Sequence, residues 1–177
     1  FIAIFEQSAV DYLRSGASDA LIVLAPRLEP VQVQRAAEVL VAIIEKEQKK
    51  SDLYWAYASL AVLTPRIEPA QVARAGGALF VDLKKSNDEF VLGRVDTLLS
   101  ALAPRLEPAQ ATRFGDAVVE ILEKATENTA PVVLREVKPS LIALAPRLEP
   151  VQVARAWTAL IAVLEATSDS STLSSTR

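Results

Sequence analysis

One heptapeptide, present in four copies, constrains the fold of this chain more than any other feature of its sequence. The copies are LAPRLEP at 24–30, LTPRIEP at 63–69, LAPRLEP at 102–108 and LAPRLEP at 144–150. Their first prolines are 39, 39 and 42 residues apart, a period typical of solenoids whose repeats contain two helices. The sequence therefore predicts an all-α fold, an α-solenoid of about four two-helix repeats.

Each copy of the heptapeptide, called a corner below, is predicted to end one helix and begin another. Proline disfavours a helical conformation in the preceding residue, so a helix should end at Leu24 or Ala25 and at the same place in the other copies. The second proline suits the first turn of a new helix, where its missing N–H costs nothing. Glu29 then occupies the N-cap, and Gln32 can reach back to it as in a capping box.

Aligning the copies gives bounds for a first helix, A, and a second helix, B, in each repeat. The A helices are predicted at about 8–25, 51–64, 87–103 and 131–145, and the B helices at about 30–47, 69–85, 108–125 and 150–166. The repeats then span about 8–47, 48–86, 87–126 and 127–167 of a single domain, 1–177. Residues 1–6 match the ends of later B helices, so we expect a fragment of a longer array that begins inside a helix B. Residues 168–177 are expected to form a polar tail or the start of a further repeat.

Two stripes of the A helices differ in how they vary between copies. Apolar residues recur at two positions one turn apart and predict the buried face: Leu21, Leu60, Leu99 and Leu141, and Leu24, Leu63, Leu102 and Leu144. A second stripe changes identity in every copy and includes Tyr54, Tyr57, Asp96, Arg135 and Lys138. Because its positions also share one helical face, we expect the variable residues to be neighbours on one surface.

Aromatic side chains at the second A helix, in the stretch DLYWAYASL, make that surface a candidate binding site. Such side chains carry much of the binding energy at protein interfaces. The residues predicted to bind a protein are Tyr54, Trp55, Tyr57, Asp96, Arg135 and Lys138. The alternative for the aromatic residues is that they pack on a neighbouring repeat.

Charged and proline residues that recur at the same place in every unit are predicted to be structural. A charge repeated in this way suits pairing from repeat to repeat better than a single site, although exposed pairs add only about 0.2 to 1 kcal/mol each. The corner positions are Pro26, Arg27, Glu29, Pro30, Pro65, Arg66, Glu68, Pro69, Pro104, Arg105, Glu107, Pro108, Pro146, Arg147, Glu149 and Pro150. The positions in the B helices are Arg35, Arg74, Arg113 and Arg155.

The fourth repeat departs from the pattern at two residues. Pro139 lies inside the predicted A helix and is expected to kink it. Trp157 stands where the earlier copies have Ala37, Gly76 and Gly115. Small residues there let helices approach closely, so we expect Trp157 to pack into a gap that the kink opens.

Composition argues against several functions. The chain has no cysteine and no histidine, which removes thiolate metal sites and the commonest general base. The net charge of −3, with both signs interspersed, lacks the basic excess that nucleic-acid binding needs. No apolar run reaches the roughly 18 residues of a membrane span, and no signal peptide is apparent, which favours a cytoplasmic location. We predict no catalytic residue, no metal, no cofactor and no membrane partner.

The repeat unit resembles a HEAT-like repeat, with an acidic residue at the turn followed by valine, arginine and alanine near the start of helix B. The residues that carry the resemblance are Glu29, Val33, Arg35 and Ala36, and Glu149, Val153, Arg155 and Ala156. It covers nearly the whole chain and implies a non-catalytic scaffold that binds another protein or another segment of its parent chain. Two alternatives stay open: an engineered or computationally designed repeat protein without a natural ligand, and a regulatory solenoid segment of a larger enzyme or signalling ATPase. The sequence does not specify the oligomeric state.

Overall fold

The computed structural model describes residues 11–46, 53–85, 91–125 and 129–174. In these ranges the chain forms α1 (Asp11–Leu24), α2 (Pro30–Lys46), α3 (Tyr54–Leu63), α4 (Pro69–Lys85), α5 (Val91–Leu102), α6 (Pro108–Glu123), α7 (Ala130–Leu144) and α8 (Pro150–Ser174). Odd-numbered helices are the A helices and even-numbered helices the B helices. The described residues contain no strand, so the predicted all-α class is confirmed. The helix expected at residues 1–6 lies outside them.

Every corner has the same backbone path. The A helix ends at the leucine that opens the heptapeptide, and a single 3₁₀ turn follows: Ala25–Arg27, Thr64–Arg66, Ala103–Arg105 and Ala145–Arg147. The next residue is extended, with ψ of 142° at Leu28 and 149° at Leu106, which takes the chain off the helical path. Each B helix then begins at the second proline, as predicted. The sequence analysis did not predict the 3₁₀ turn between the two helices.

The fourth repeat differs from expectation at its end. Helix α8 continues to Ser174, so residues 168–174 extend the last B helix and do not begin a separate helix. Helix α7 runs from Ala130 to Leu144 as one element, with Pro139 inside it and exposed. The kink at Pro139 stays a prediction.

The helices contact one another in two rows. Each A helix packs on the next A helix, and each B helix packs on the next B helix. Each B helix also packs on the A helix that follows it: α2 on α3, α4 on α5 and α6 on α7. Among the described residues, every extensive contact joins elements of the same repeat or of adjacent repeats.

The core lies between the two rows and is made by the recurring apolar positions. Leu60, Leu99 and Leu102 of the A helices, and Leu40 and Leu79 of the B helices, are completely buried and belong to one cluster. The predicted buried stripe is thus confirmed at most of its positions. The exceptions are Leu24, which is exposed, and Leu141, which is only partly buried.

Candidate protein-interaction surface

The aromatic cluster of α3 is divided between the surface and the core. Tyr54 is 56% exposed, Trp55 is partly buried and Tyr57 is fully buried. The Tyr57 hydroxyl donates a hydrogen bond to the carboxylate of Asp82, a buried residue of α4. The guanidinium of Arg14 lies 6.0 Å from the centre of the Trp55 ring. The prediction of an exposed Tyr57 is therefore wrong, because this side chain fills the interior and offers no surface to a partner.

The repeat position of Tyr57 is a contact between successive A helices. In repeat 1 its equivalent is Ser18, whose hydroxyl oxygen lies 2.6 Å from that of Ser59 in the next A helix. In repeat 3 its equivalent is Asp96, whose carboxylate accepts a hydrogen bond of 3.0 Å from the Ser140 hydroxyl in the next A helix. This position therefore varies because a different pair of side chains meets at each contact, which the sequence pattern alone did not indicate.

Asp96 is consequently a half-buried structural residue and not an exposed one. Burial raises the pKa of its carboxyl, the hydrogen bonds from Ser140 and Ser100 lower it, and the charge of Glu136 raises it further. The Glu136 side chain lies over Gly93, where any added Cβ would collide with its carboxylate. Glycine at position 93 thus leaves space for the Glu136 carboxylate of the next A helix.

Arg135 and Lys138 are the two predicted binding residues of α7, and both are exposed. The Arg135 guanidinium pairs with the neighbouring Glu136 at 2.7 Å. Lys138 occupies the repeat position of Tyr57, and it is exposed because, among the described residues, no further A helix packs on α7. Tyr54, Arg135 and Lys138 are therefore the predicted binding residues that the structure leaves well exposed.

A ridge of exposed and partly exposed residues runs along the A helices at the positions 3, 7 and 11 residues before the first proline of each corner. We call these residues the A ridge: Ser15, Asp19 and Val23; Tyr54, Ala58 and Val62; Gly93, Thr97 and Ala101; Arg135, Pro139 and Ala143. Steps of four residues keep them on one helical face. Its large exposed apolar side chains are Val23 at 76%, Tyr54 at 56% and Val62 at 39%. Leu24, Lys138 and Ile142 are exposed beside the ridge. Asp19 and Arg135 are its charged members, so the ridge is mostly small and uncharged.

The corner arginines join successive repeats, but their acceptors are backbone carbonyl oxygens and not the corner glutamates. Each guanidinium donates to two carbonyl oxygens of the preceding corner. The pairs are Arg66 with Ala25 and Leu28, both at 2.5 Å; Arg105 with Thr64, and with Ile67 at 2.9 Å; and Arg147 with Pro104 at 3.0 Å and Leu106 at 2.5 Å. The last carbonyls of a helix lack helical partners, and a planar guanidinium suits two neighbouring acceptors. The arginines therefore cap one corner while fixing the next.

A glutamine at the third residue of each B helix makes a second contact to backbone. The side-chain amide groups of Gln71, Gln110 and Gln152 donate to the carbonyl oxygens of Gln34, Ala73 and Thr112 at 3.0, 2.8 and 2.8 Å. These acceptors occupy one equivalent position in the preceding B helix. Corners and glutamines thus give each interface the same backbone-directed hydrogen bonds.

The predicted capping box forms in repeats 1 and 4 only. The Glu29 N–H donates to Gln32 Oε1 at 2.8 Å, and the Glu149 N–H donates to Gln152 Oε1 at 3.1 Å. In repeats 2 and 3 the Oε1 atoms of Gln71 and Gln110 are buried without a hydrogen-bond partner. There the glutamine serves the interface between repeats and not the helix start.

The arginines of the B helices make different contacts at different interfaces. Arg74 pairs with Glu45 of the preceding B helix through two bonds of 2.8 and 2.5 Å. Arg155 likewise pairs with Glu123 at 2.9 and 2.8 Å, and reaches Asp116 at 3.2 Å. These hydrogen bonds hold the pKa of both glutamates below the ordinary value.

The central interface replaces this pair by another arrangement. The residue equivalent to Glu45 is Lys84, so Arg113 has no glutamate there, and its guanidinium lies 4.2 Å from the centre of the Phe80 ring. Lys84 instead pairs with Glu120 of the next B helix at 2.5 Å. Glu120 also pairs with Lys124 at 2.6 Å, and hydrogen bonds from Lys124 and Lys84 lower its pKa to about 2. The expected pairing of B-helix arginines between repeats is therefore met at Arg74 and Arg155 but not at Arg113.

The outer face of α8 exposes positions that other repeats bury. Val153 is 50% exposed, whereas its equivalents Val33, Val72 and Ala111 are buried. Leu164 is 51% exposed, whereas Ile44, Leu83 and Leu122 are buried. Trp157 is 65% exposed, so the expectation that it packs into a gap is wrong. This end face is where the next repeat lies in each internal unit.

A cleft of about 440 Å³ lies between α6 and α8. Its walls are mostly small apolar side chains, among them Ala154, Ala159 and Ala162. Glu123 and Arg155 are its charged residues, and they are bonded to each other. The cleft therefore presents no pair of groups suited to acid–base chemistry.

Comparison of the chain with protein-family models, with curated proteins and with solved structures finds no match. Within the described part of the chain, no three acidic, histidine or cysteine side chains are grouped so that they could hold a metal ion. None of the described helices has the length and apolar character required to cross a membrane.

Proposed function

We propose that this chain is a HEAT-like α-solenoid that binds another protein, or another segment of its parent chain, through the A ridge. The observation that carries the proposal is the group of exposed apolar side chains on the first two A helices, Val23, Tyr54 and Val62. The two A helices that carry them pack on each other, so these side chains lie on neighbouring helices. The role assigned to the chain is binding, without a catalytic step.

Support for the solenoid comes from the pattern of contacts. Extensive contacts among the described residues stay within a repeat or between adjacent repeats, as expected when each unit touches only its neighbours. The same backbone-directed bonds recur at successive corners. Deleting residues 130–177 should therefore remove the helicity of the last repeat and leave the rest folded, which circular dichroism would measure. Loss of all helicity would contradict a solenoid.

The chemistry of the A ridge indicates the kind of partner. Small side chains such as Ala58 and Ala101 allow close approach of a helix or an extended peptide, and Tyr54 supplies an aromatic anchor. Arg135 on the ridge and Lys138 beside it are the basic residues at its far end. We infer a partner that offers an apolar stripe with acidic residues at one end.

The test compares two double variants that remove the same kind of exposed apolar surface from opposite sides. Tyr54→Ala with Val62→Ser alters the A ridge, whereas Val31→Ser with Val81→Ser alters exposed valines of the B helices. A partner isolated with the wild-type chain should be lost from the first variant and retained by the second, measured as Kd by titration calorimetry. Equal affinity of both variants, with unchanged helicity, would remove the A ridge from consideration. Tyr57 is left intact because its burial would confuse binding with folding.

A further inference from the structure

A position near the middle of each B helix must be small at the internal interfaces. It holds Ala37, Gly76 and Gly115 in repeats 1 to 3, and the next corner lies directly above it. A Cβ added at Gly76 would stand 2.9 Å from a methyl carbon of Leu106, and one at Gly115 would stand 2.6 Å from a methyl carbon of Leu148. The amide group of Gln152, which bonds to the B helix below, would also be 3.0 Å from that second Cβ. A corner seated in this way therefore leaves no room for a side chain larger than glycine unless the leucine shifts, and the residue at the remaining internal interface, Ala37, adds only one carbon.

Repeat 4 has Trp157 at this position, on the open end face of α8. A leucine methyl can turn away from one added carbon, but a bicyclic indole fills the space that the whole leucine and glutamine need. The repeat position of Trp157 is the one that the next corner covers at Gly76 and Gly115, and the indole is 65% exposed there. Trp157 is thus sterically opposed to any corner stacked in the register of the internal interfaces.

The two ends of the described repeats are otherwise chemically complementary. Arg27 and Gln32 are exposed, and their equivalents in later repeats donate to the preceding repeat. At the other end, the carbonyl oxygen of Ala154 is equivalent to the acceptors used by those glutamines. The exposed Val153 and Leu164 are equivalent to side chains that every internal interface buries. A second copy of this chain therefore carries, at its first corner, the groups that fit the end face of repeat 4.

We propose that Trp157 prevents copies of this chain from stacking head to tail. Head-to-tail contacts that do not close into a ring extend into filaments unless one end is blocked. Trp157 is the bulky side chain that would block this end, on a face that also exposes Val153 and Leu164. This inference goes beyond the binding ridge and does not depend on it.

The experiment measures self-association of the purified chain by sedimentation velocity over a range of concentrations. Trp157→Gly restores the residue found at Gly76 and Gly115, and Trp157→Ala restores the one found at Ala37. Both should associate at least tenfold more tightly than wild type. Adding Arg27→Glu at the opposite end should return each variant to the wild-type value. Val151→Gly is the matched control, since it places glycine at an exposed site of the same helix, beside the cleft, and should not associate.

Circular dichroism verifies that each variant keeps its helicity. If Trp157→Gly lowers the helicity, Trp157→Ala is used in its place. Three results would overturn the proposal. The first is that both Trp157 variants sediment as wild type does. The second is association that Arg27→Glu does not reduce. The third is wild-type association that is as tight as that of the Trp157 variants and is weakened by Arg27→Glu, because Trp157 would then be no obstacle.

Discussion

The interface between repeats 2 and 3 and the two interfaces that flank it use the same bonds to backbone but different bonds between side chains. At all three, a corner arginine donates to the preceding corner and a glutamine donates to the preceding B helix. The flanking interfaces add an arginine–glutamate pair between B helices and a hydroxyl-containing pair between A helices. Among the described residues the central interface has neither of these, and its ion pair between B helices joins Lys84 to Glu120.

Residues of the central interface replace those polar pairs in a coordinated way. Arg113 lies over Phe80, which also meets Phe114 edge-on with ring centres 5.4 Å apart. Between the A helices, the fully buried Tyr57 and Leu98 hold the positions that Ser18 and Ser59 hold in the preceding interface. The Tyr57 hydroxyl turns to Asp82 of its own repeat. One backbone arrangement thus accommodates different side-chain pairs, with the aromatic contacts of the central interface standing beside its Lys84–Glu120 ion pair.

The comparison indicates which contacts fix the stacking of repeats. A carbonyl oxygen is present whatever the side chain, so a bond to it survives substitution of the acceptor residue. A side-chain pair is kept only when both partners match. Lys84 stands at the repeat position of Glu45, so Arg113 has no glutamate partner there. We therefore expect the backbone-directed bonds to set the register and the side-chain pairs to adjust stability.

The largest effect is expected at the apolar core that all interfaces share. Leu99 of α5 is completely buried, and α5 packs on both α3 and α7. Leu99→Ala should lower the free energy of unfolding by about 2 to 5 kcal/mol, because it leaves a cavity between the A helices. Val62→Ala on the A ridge is the control and should cost about 0.5 kcal/mol or less in the same urea titration. Similar losses for both would contradict the placement of the core.

A corner arginine should matter more than an arginine of a B helix. Arg105→Ala leaves two carbonyl oxygens of the preceding corner without their donor and should cost about 1 to 3 kcal/mol in the free energy of unfolding. Arg105→Lys should recover little, because an ammonium cannot span both acceptors as a guanidinium does. Arg113→Ala is the comparison and should cost about 1 kcal/mol or less. A reversed order in denaturant titrations would refute the role given to the corner bonds.

The Tyr57–Asp82 hydrogen bond distinguishes repeat 2 from the others. Tyr57→Phe should lower the free energy of unfolding by about 1 to 2 kcal/mol, because it removes a donor from a buried carboxylate. Adding Asp82→Ile, the residue found at the equivalent Ile43 and Ile121, should restore much of that loss. Thermal unfolding of both variants measures the difference. A double variant less stable than Tyr57→Phe alone would show that Asp82 has a separate structural role.

The smallest effect concerns the pH dependence of the flanking interfaces. The folded pKa of Glu45 lies below its unfolded value because of the bond from Arg74, so the pair stabilises the fold above a pH of about 4.5. That contribution is lost as the pH falls through the lower, folded pKa. Since both side chains are largely exposed, Glu45→Gln should cost about 0.2 to 1 kcal/mol at pH 7 and less as the pH falls through the folded pKa.

Ionisation of Asp96 has the opposite effect on the pH dependence of the free energy of unfolding. Its folded pKa is raised, chiefly by burial, so its carboxyl favours folding as the pH falls through that value. The Glu45→Gln substitution should therefore be made in a background of Asp96→Asn. Denaturant titration at each pH then compares the free energy of unfolding of the double variant with that of Asp96→Asn alone. An equal cost at pH 2 and pH 7 would mean that the Glu45 charge contributes nothing.

The sequence predicted the parts of this fold that depend on local rules. Both ends of each corner follow from proline, which disfavours helix before it and suits the first turn after it. The buried leucines follow from their spacing. Tyr57 was misplaced because periodicity assigns residues to a face but does not say whether a neighbouring A helix covers that face. Trp157 was misplaced because its exposure depends on what packs beyond α8.

The candidate binding site was predicted only in part for the same reason. Tyr54 and Arg135 lie on the A ridge, whereas Asp96 accepts a hydrogen bond that forms only because α5 packs on α7. The acceptors of the corner arginines were not predicted either. Every residue has a backbone carbonyl group, so a comparison of side chains between repeats does not indicate which one accepts.

Reliance on carbonyl acceptors at the corners has a consequence for how such a chain can change in length. A duplicated unit carries its own arginine, and the carbonyl acceptors that this arginine needs are present at the preceding corner whatever the side chains there. The step from Pro104 to Pro146 illustrates the tolerance: it is three residues longer than the others, yet Arg147 still caps the preceding corner by taking Pro104 as its first acceptor. A unit of slightly different length can therefore keep its corner bonds, whereas the side-chain pairs of the interface need matching residues on both sides.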